Sequence, residues 1–428
     1  MKLLREIVKR NRAGEAVALT AVCSAHPDVL AAALLLARDM GKVLLIEATS
    51  NQVNQFGGYT GMTPADFIAH VRGFMSRLRL APEQIAFGGD HLGPQAWRRE
   101  SAEIAMAKAR EMVAAYVRAG FSKIHLDCSE GCLGEPANVG DQVAAERAAD
   151  LAAICDSAAD DVSYIIGTEV PPPGGARADA HDVLSVTTAE RAAATLAHHQ
   201  AAFRQRGLDA AFGRVAGLVV QPGVEFGPEA IDLFDPARFG NLGSALALHP
   251  SLAFEAHSTD YQPDQVFVDL ARRHFAILKV GPALTFAYRR AVYALDAIVQ
   301  FANPRTARKA LTDTMEDQMR AHPAHWQAHY AGTEAHQKML RHFAYADRIR
   351  YYWNAPQAAA AVSTLEADFD ALNPASIVLR QHFSLPVLER AEDLRSAGNS
   401  PSKALILAEI QATLQPYLVV APDFGSGS

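Results

Sequence analysis

FAILKVGPALTFA, residues 275–287, holds the pattern that decides the fold. Its first six residues are apolar apart from Lys279, a Gly-Pro pair breaks the run, and helix-forming residues follow. A short apolar run, a breaker and a helix make one βα unit, and a strand apolar on both faces belongs in a parallel sheet covered by helices. Seven earlier runs repeat the pattern, at 17–22, 43–46, 85–88, 123–126, 162–166, 217–220 and 252–254. Eight is the number of units that closes a (β/α)8 TIM barrel, so an α/β barrel is expected, with an open doubly wound sheet as the competing arrangement. Helix signals lie between the runs. Pro27 and Asp28 open a helix that should end near Gly41, Thr63 and Pro64 open a second, a third ends at Gly120, and Thr187 with Glu190 reads as a capping box for a fourth.

Beyond residue 280 the rhythm stops. Residues 283 to about 415 read as helical, in segments around 286–301, 307–319, 335–341, 358–369 and 402–414. The expected organisation is a barrel over 1–300, a helical extension packed on it over 301–420, and a disordered tail over 421–428.

The chain has 428 residues, of which 50% are hydrophobic, and a formal net charge of -7. That is ample for a large core, and with no basic tract interleaved with aromatics it argues against nucleic acid as a partner. The first residues lack the apolar stretch and small-residue site of a secretory signal, and no apolar run is long enough to span a membrane. Four cysteines in a chain of this length do not make a disulfide framework, so a cytoplasmic protein with reduced thiols is expected.

In a barrel, the residues at the C-terminal strand ends face the active site. Here those ends are polar: Ser24 and His26, Glu47, Asp90 and His91, Asp127, Glu169, Gln221, His257 and Lys279, taken from the first run to the eighth. One acid after a strand is commonly a turn former, but eight polar ends in succession point to a site. The loops at 51–62, 131–140 and 171–175 are long and rich in Gly and Pro, as loops that build a site are. Asp90, Asp127, Glu47, Glu169 and Lys279 are the candidate catalytic groups. His91, His257 and Glu169 are candidate ligands for a divalent metal, zinc or similar. Ser24, Gln221, Ser258 and Gly281 are candidate substrate contacts, and the backbone of GPALTFA offers free amides to a phosphate. Lys279 suits either a Schiff base or a purely electrostatic role, and the second is the expectation here. His322, His325 and His329 share a helical face by spacing, as surface or interface groups. No dinucleotide fingerprint follows a strand and no P-loop is present, so neither an NAD site nor an ATP site is expected.

The segments IEATSNQVNQFGGYTGMTP, GGDHLGPQ, KIHLDCS, IGTEVPPPGG, FEAHSTDYQ, LKVGPALTFA and DRIRYYW resemble the GatZ/KbaZ family. That resemblance implies a barrel related to the class II aldolases, working on a phosphorylated ketose in tagatose or galactitol catabolism. Beside an older label as tagatose 6-phosphate kinases, the weakest because no nucleotide-phosphate cradle is visible, it implies two functions. One is 4-epimerisation between D-tagatose 6-phosphate and D-fructose 6-phosphate; the other is a non-catalytic subunit that stabilises a class II tagatose-1,6-bisphosphate aldolase. An aldolase subunit and further copies of the chain are the protein partners expected. Carbon 4 of a 2-ketose is not adjacent to the carbonyl, so simple enolisation cannot invert it. With no nicotinamide site evident, cleavage and re-formation of the C3–C4 bond is the economical route. A carboxylate such as Asp90, Asp127 or Glu47 would accept the C4 hydroxyl proton, and a metal or Lys279 would stabilise the enediolate.

Overall fold

The computed structural model describes residues 2–159, 161–168, 184–302 and 309–425. All eight runs are strands: β1 (Leu19–Val22), β2 (Leu44–Thr49), β3 (Ile85–Leu92), β4 (Lys123–Leu126), β5 (Ser163–Ile166) and β6 (Val215–Val219), then β9 (Ala253–Ala256) and β10 (Phe275–Val280) after a two-stranded hairpin, β7 (Glu225–Phe226) and β8 (Ile231–Asp232). The eight close into one parallel barrel in the order β1-β10-β9-β6-β5-β4-β3-β2. Closure is made by β1 on β10, with Ala21 beside Lys279 and Leu19 beside Ile277.

The helix signals act as expected, with one shift. Gly41 and Gly120 end their helices in the left-handed region, and Thr63 forms a reciprocal capping box with Asp66. The fourth helix, Ala189–Gln205, is capped by Thr188 rather than Thr187. Thr187 is committed elsewhere, because its hydroxyl accepts the Gln221 amide.

The N-terminal helix Lys2–Arg12 closes the bottom of the barrel. Leu4, Ile7 and Val8 lie on one helical face and pack with Leu19, Ala21, Leu45, Ala253 and Ile277 inside it. The extension contains the helices Leu311–Ala321, Glu334–Phe343, Pro356–Leu372, Leu385–Ser396 and Pro401–Leu418. The last packs between Pro27–Met40 and Pro282–Ala302, and so stands in the ring of barrel helices. The chain then continues along the barrel's base, where the Ala18 amide donates to the Val420 carbonyl and the Val43 amide to the Pro422 carbonyl. The expected disordered tail is therefore hydrogen-bonded as far as Phe424, whose amide donates to Gly41. His322, His325 and His329 do not share a helical face. Pro323 cannot continue the helix Leu311–Ala321, so His322 ends it and His325 sits in a separate 3-10 turn. None of the described helices is long and apolar enough to cross a membrane.

Candidate active site

Alternation along the strands decides which groups meet. Successive side chains of a strand point to opposite faces. Leu45, Ala253 and Ile277 fill the barrel interior, while Leu44, Ile46, Phe254 and Leu278 pack against the outer helices. Two residues along from each interior position stand Glu47, Glu255 and Lys279, and β4 carries Lys123 and His125 in the same phase. The interior thus changes from apolar to charged along its axis.

The lower charged layer is fully buried. Lys123 Nζ lies 2.7 Å from Glu47 Oε1 and 2.9 Å from Glu255 Oε2. Lys279 Nζ lies 3.3 Å from Glu47 Oε2 and 3.1 Å from Glu255 Oε1, and also pairs with Asp90 Oδ1. Burial opposes the charge on Lys279, but Asp90, Glu255 and Glu47 outweigh it and hold the amine well above its usual pKa. A lysine so held is an ammonium, which suits electrostatic work and not Schiff-base formation. The glycine of GGD is required here, since a Cβ on Gly88 would stand 2.4 Å from Glu47 Oε1.

Three histidines form the next layer. The ring centroids of His91, His125 and His257 are 5.1 Å apart in every pair. Each ring keeps one nitrogen on a carboxylate: His91 Nδ1 on Asp127 Oδ2 at 2.7 Å, His125 Nδ1 by Asp90 Oδ1 at 3.1 Å, and His257 Nε2 on Glu255 Oε1 at 2.8 Å. Carboxylates in that position orient imidazoles that serve as metal ligands. His125 Nδ1 also accepts the His91 amide at 3.2 Å, and its Nε2 is buried without a hydrogen-bond partner among the described residues. Asp90, His125, Glu255 and His257 each offer a ligand atom within 4.8 Å of the others. Burial lowers the pKa of both His125 and His257, so both rings are neutral, the form that binds a metal. The donor set therefore fits a divalent ion.

His91 behaves differently. Burial opposes its charge, but Asp90 and Asp127 raise its pKa above the usual value. It adopts φ +48°, uncommon outside glycine and a form of strain that gathers at functional sites. Asp127 also accepts from the Ser129 hydroxyl at 2.7 Å. Despite burial, its bond to His91 holds it far below the carboxylate range.

Above these layers the pocket opens between the β1, β2, β9 and β10 ends and the turn Arg348–Tyr352 of the extension. Ser24, His26, Ser258 and Gly281 line it, with Gln52, Tyr59, Asp260, Arg350 and Tyr351. Asp260 Oδ1 accepts the Gly281 and Ala283 amides at 3.0 and 2.8 Å. The helix start expected to hold a phosphate is thus already satisfied by a carboxylate.

Glu225, on β7, is buried beside this mouth and accepts the Phe226 amide. Burial pushes its pKa up to about 7. A carboxyl raised on folding contributes stability that is complete below its unfolded pKa and is lost as pH rises through 7. Glu225→Gln is therefore expected to exceed the parent in stability by about 3 kcal/mol at pH 8, from roughly 2.5 pH units, and by much less at pH 5. Urea unfolding at the two pH values measures this, and parallel curves would remove the explanation.

The structure brings Glu47, Asp90, His91, Asp127, His257 and Lys279 together. Ser24, Ser258 and Gly281 line the pocket above them. Gln221 is used locally, its side-chain oxygen accepting the Gly223 and Val224 amides at 2.8 and 2.9 Å. Glu169 lies outside the described residues. Reading only strand ends misses Lys123, His125 and Glu255. Their signal is the alternation K-x-H-x-D over Lys123, His125 and Asp127, and E-x-H over Glu255 and His257, within otherwise apolar runs. Arg350 and Tyr351 carry no such signal, because they enter from the far end of the chain.

The model of the family "D-tagatose-1,6-bisphosphate aldolase subunit GatZ/KbaZ-like" matches residues 4–421. A protein of Agrobacterium fabrum named D-tagatose 6-phosphate 4-epimerase is 47% identical over 414 residues, covering 95% of each chain. A crystal structure from Sinorhizobium meliloti, described as a probable tagatose 6 phosphate kinase, is 44% identical with a TM-score of 0.85, over 94% of this chain and all of the other.

Proposed function

The chain belongs to the GatZ/KbaZ-like family of D-tagatose-1,6-bisphosphate aldolase subunits, and from that premise we propose that it is itself an enzyme, interconverting D-tagatose 6-phosphate and D-fructose 6-phosphate by inversion at carbon 4. The observation that carries the reading is the convergence of Asp90, the His91–Asp127 pair and Lys279 beneath one open pocket. A subunit serving only to stabilise an aldolase has no need of such an acid–base set. The sequence has no P-loop, which argues against a P-loop kinase.

In this mechanism Asp90 accepts the C4 hydroxyl proton as the C3–C4 bond breaks. Lys279, an ammonium held beside Asp90, lowers the energy of the negative charge that develops on the enediolate. The aldehyde fragment turns and presents its other face, the C3–C4 bond re-forms, and Asp90 returns the proton to the new hydroxyl. A divalent ion belongs to the proposal: His125, His257 and Glu255 would hold it, beside Asp90, and it would supply electrophilic polarisation of the C2 carbonyl. The reading sets the enzyme in the cytoplasm, in tagatose or galactitol catabolism, with its four unpaired cysteines reduced.

Incubation with either sugar phosphate is expected to reach the same mixture of the two, with loss of turnover in a chelator and recovery on adding a divalent metal. Failure to turn over either sugar, together with activation of a separate aldolase subunit, would overturn the enzyme reading.

A further inference from the structure

The turn Arg348–Tyr352 brings Arg350 of the extension to the barrel mouth and carries Arg348 on the same Tyr351 ring. The guanidiniums of Arg348 and Arg350 lie 5.2 and 4.5 Å from the centre of the Tyr351 ring. His325 stacks on the same ring at 4.7 Å, so the turn is braced from behind.

These arginines differ from the buried Arg289 and Arg341. Arg289 is paired with Asp347 at 2.8 Å, and Arg341 with Glu316 and Glu334. Arg350 has no carboxylate within 4.0 Å among the described residues. Its Nη1 donates to the carbonyls of Ala346 and Asp347, and its Nη2 to the Tyr351 hydroxyl at 2.9 Å. Arg348 likewise donates to the His325 carbonyl. Carbonyls satisfy hydrogen bonds but neutralise no charge. A partly buried cation left without a counter-charge favours an anion that joins it. The nearby acids are engaged elsewhere: Asp347 by Arg289 and Thr285, and Asp260 Oδ1 by two amides.

Arg350 lines the same pocket as Asp260, Gly281 and Thr285, beyond the β9 and β10 ends. These are the seventh and eighth barrel strands, after which barrels commonly place a phosphate. Here Asp260 already occupies the Gly281 and Ala283 amides, so the arginine is the cation left for an anion on that side.

We propose that Arg350, with the Tyr351 hydroxyl beside it, forms the anion subsite that grips the 6-phosphate of the ketose. The inference rests on the substrate reading above and adds a division of labour, in which the extension holds the phosphate and the barrel breaks the bond. It also gives the tether that the chemistry needs. Cleavage of C3–C4 leaves the phosphate on the C4–C6 aldehyde fragment. A fragment held by its phosphate can turn its carbonyl face without escaping.

Arg350→Gln is expected to raise KM for fructose 6-phosphate on the order of 10–100-fold, with kcat changed much less, as befits a charge-assisted contact to a non-reacting group. Arg350→Lys, which keeps the charge but loses the planar fork, should fall between. Calorimetric titration with inorganic phosphate tests the subsite without turnover. Binding by the parent and its loss in Arg350→Gln, with unchanged circular dichroism, supports the subsite even if neither sugar is converted, in which case only the epimerase reading fails. Equal phosphate affinity in parent and variant, or equal KM in an active enzyme, overturns the subsite and leaves the epimerase standing. Should Arg350→Gln not fold, the same comparison with Arg350→Lys decides.

Discussion

Asp90→Asn is expected to lower kcat for the interconversion by about 10²–10⁴-fold, the usual contribution of a positioned general base, while the barrel stays folded. Asp90 stands where the charged layer meets the histidines. Its Oδ1 pairs with Lys279 and lies 3.1 Å from His125 Nδ1, and its Oδ2 is 3.8 Å from His91 Nε2. Burial alone would protonate it, but His91, Lys279 and His125 hold it well below the carboxylate range. It is therefore ionised at neutral pH and can accept a proton, and the same neighbours favour its prompt return. Asparagine keeps the shape and an acceptor oxygen but loses the charge. If KM and the thermal midpoint change little and kcat collapses, Asp90 acts in the chemical step. An active Asp90→Asn would move the base to Asp127 or Glu47 and end this assignment.

The largest stability effect is expected at Lys123. Lys123→Met should destabilise the protein by about 3–5 kcal/mol, because removing one member of a buried ion cluster leaves charge without compensation. Lys123 Nζ stands between Glu47 and Glu255, all three fully buried. Without it, Lys279 alone must offset Glu47, Glu255 and Asp90. Adding Glu255→Gln to Lys123→Met should recover part of the loss, since it removes one of the stranded charges, and a double-mutant cycle in urea measures the coupling. Purely additive effects would show that the cluster does not behave as a unit.

Both residues illustrate how unevenly the molecule could be read. Asp90 was visible because it ends a strand in GGDHLGP. Lys123 was not, although it begins β4, because a lysine opening an apolar run reads as an edge charge turned to solvent. The inward phase of a strand depends on where its neighbours lie, which is a property of the closed sheet. The same holds for His125 and Glu255, whose alternation is plain once the phase is known. Thr187 shows the limit for local signals: a good cap in isolation, it is drawn off by the Gln221 amide and Thr188 takes its place.

By itself the sequence determined the eight strands, their helices, the polar character of their C-terminal ends and the family likeness, because these rest on local periodicity and short motifs. Only the tertiary structure decided that β1 meets β10, that Lys123 and Lys279 stand among three acids, that three histidines stand 5.1 Å apart, and that Asp260 fills the expected phosphate amides. It alone brought Arg350 to the pocket. Such contacts join residues tens to hundreds of positions apart, and their energies depend on burial and on the full set of neighbouring charges, neither of which exists until the barrel closes and the last helix joins its ring.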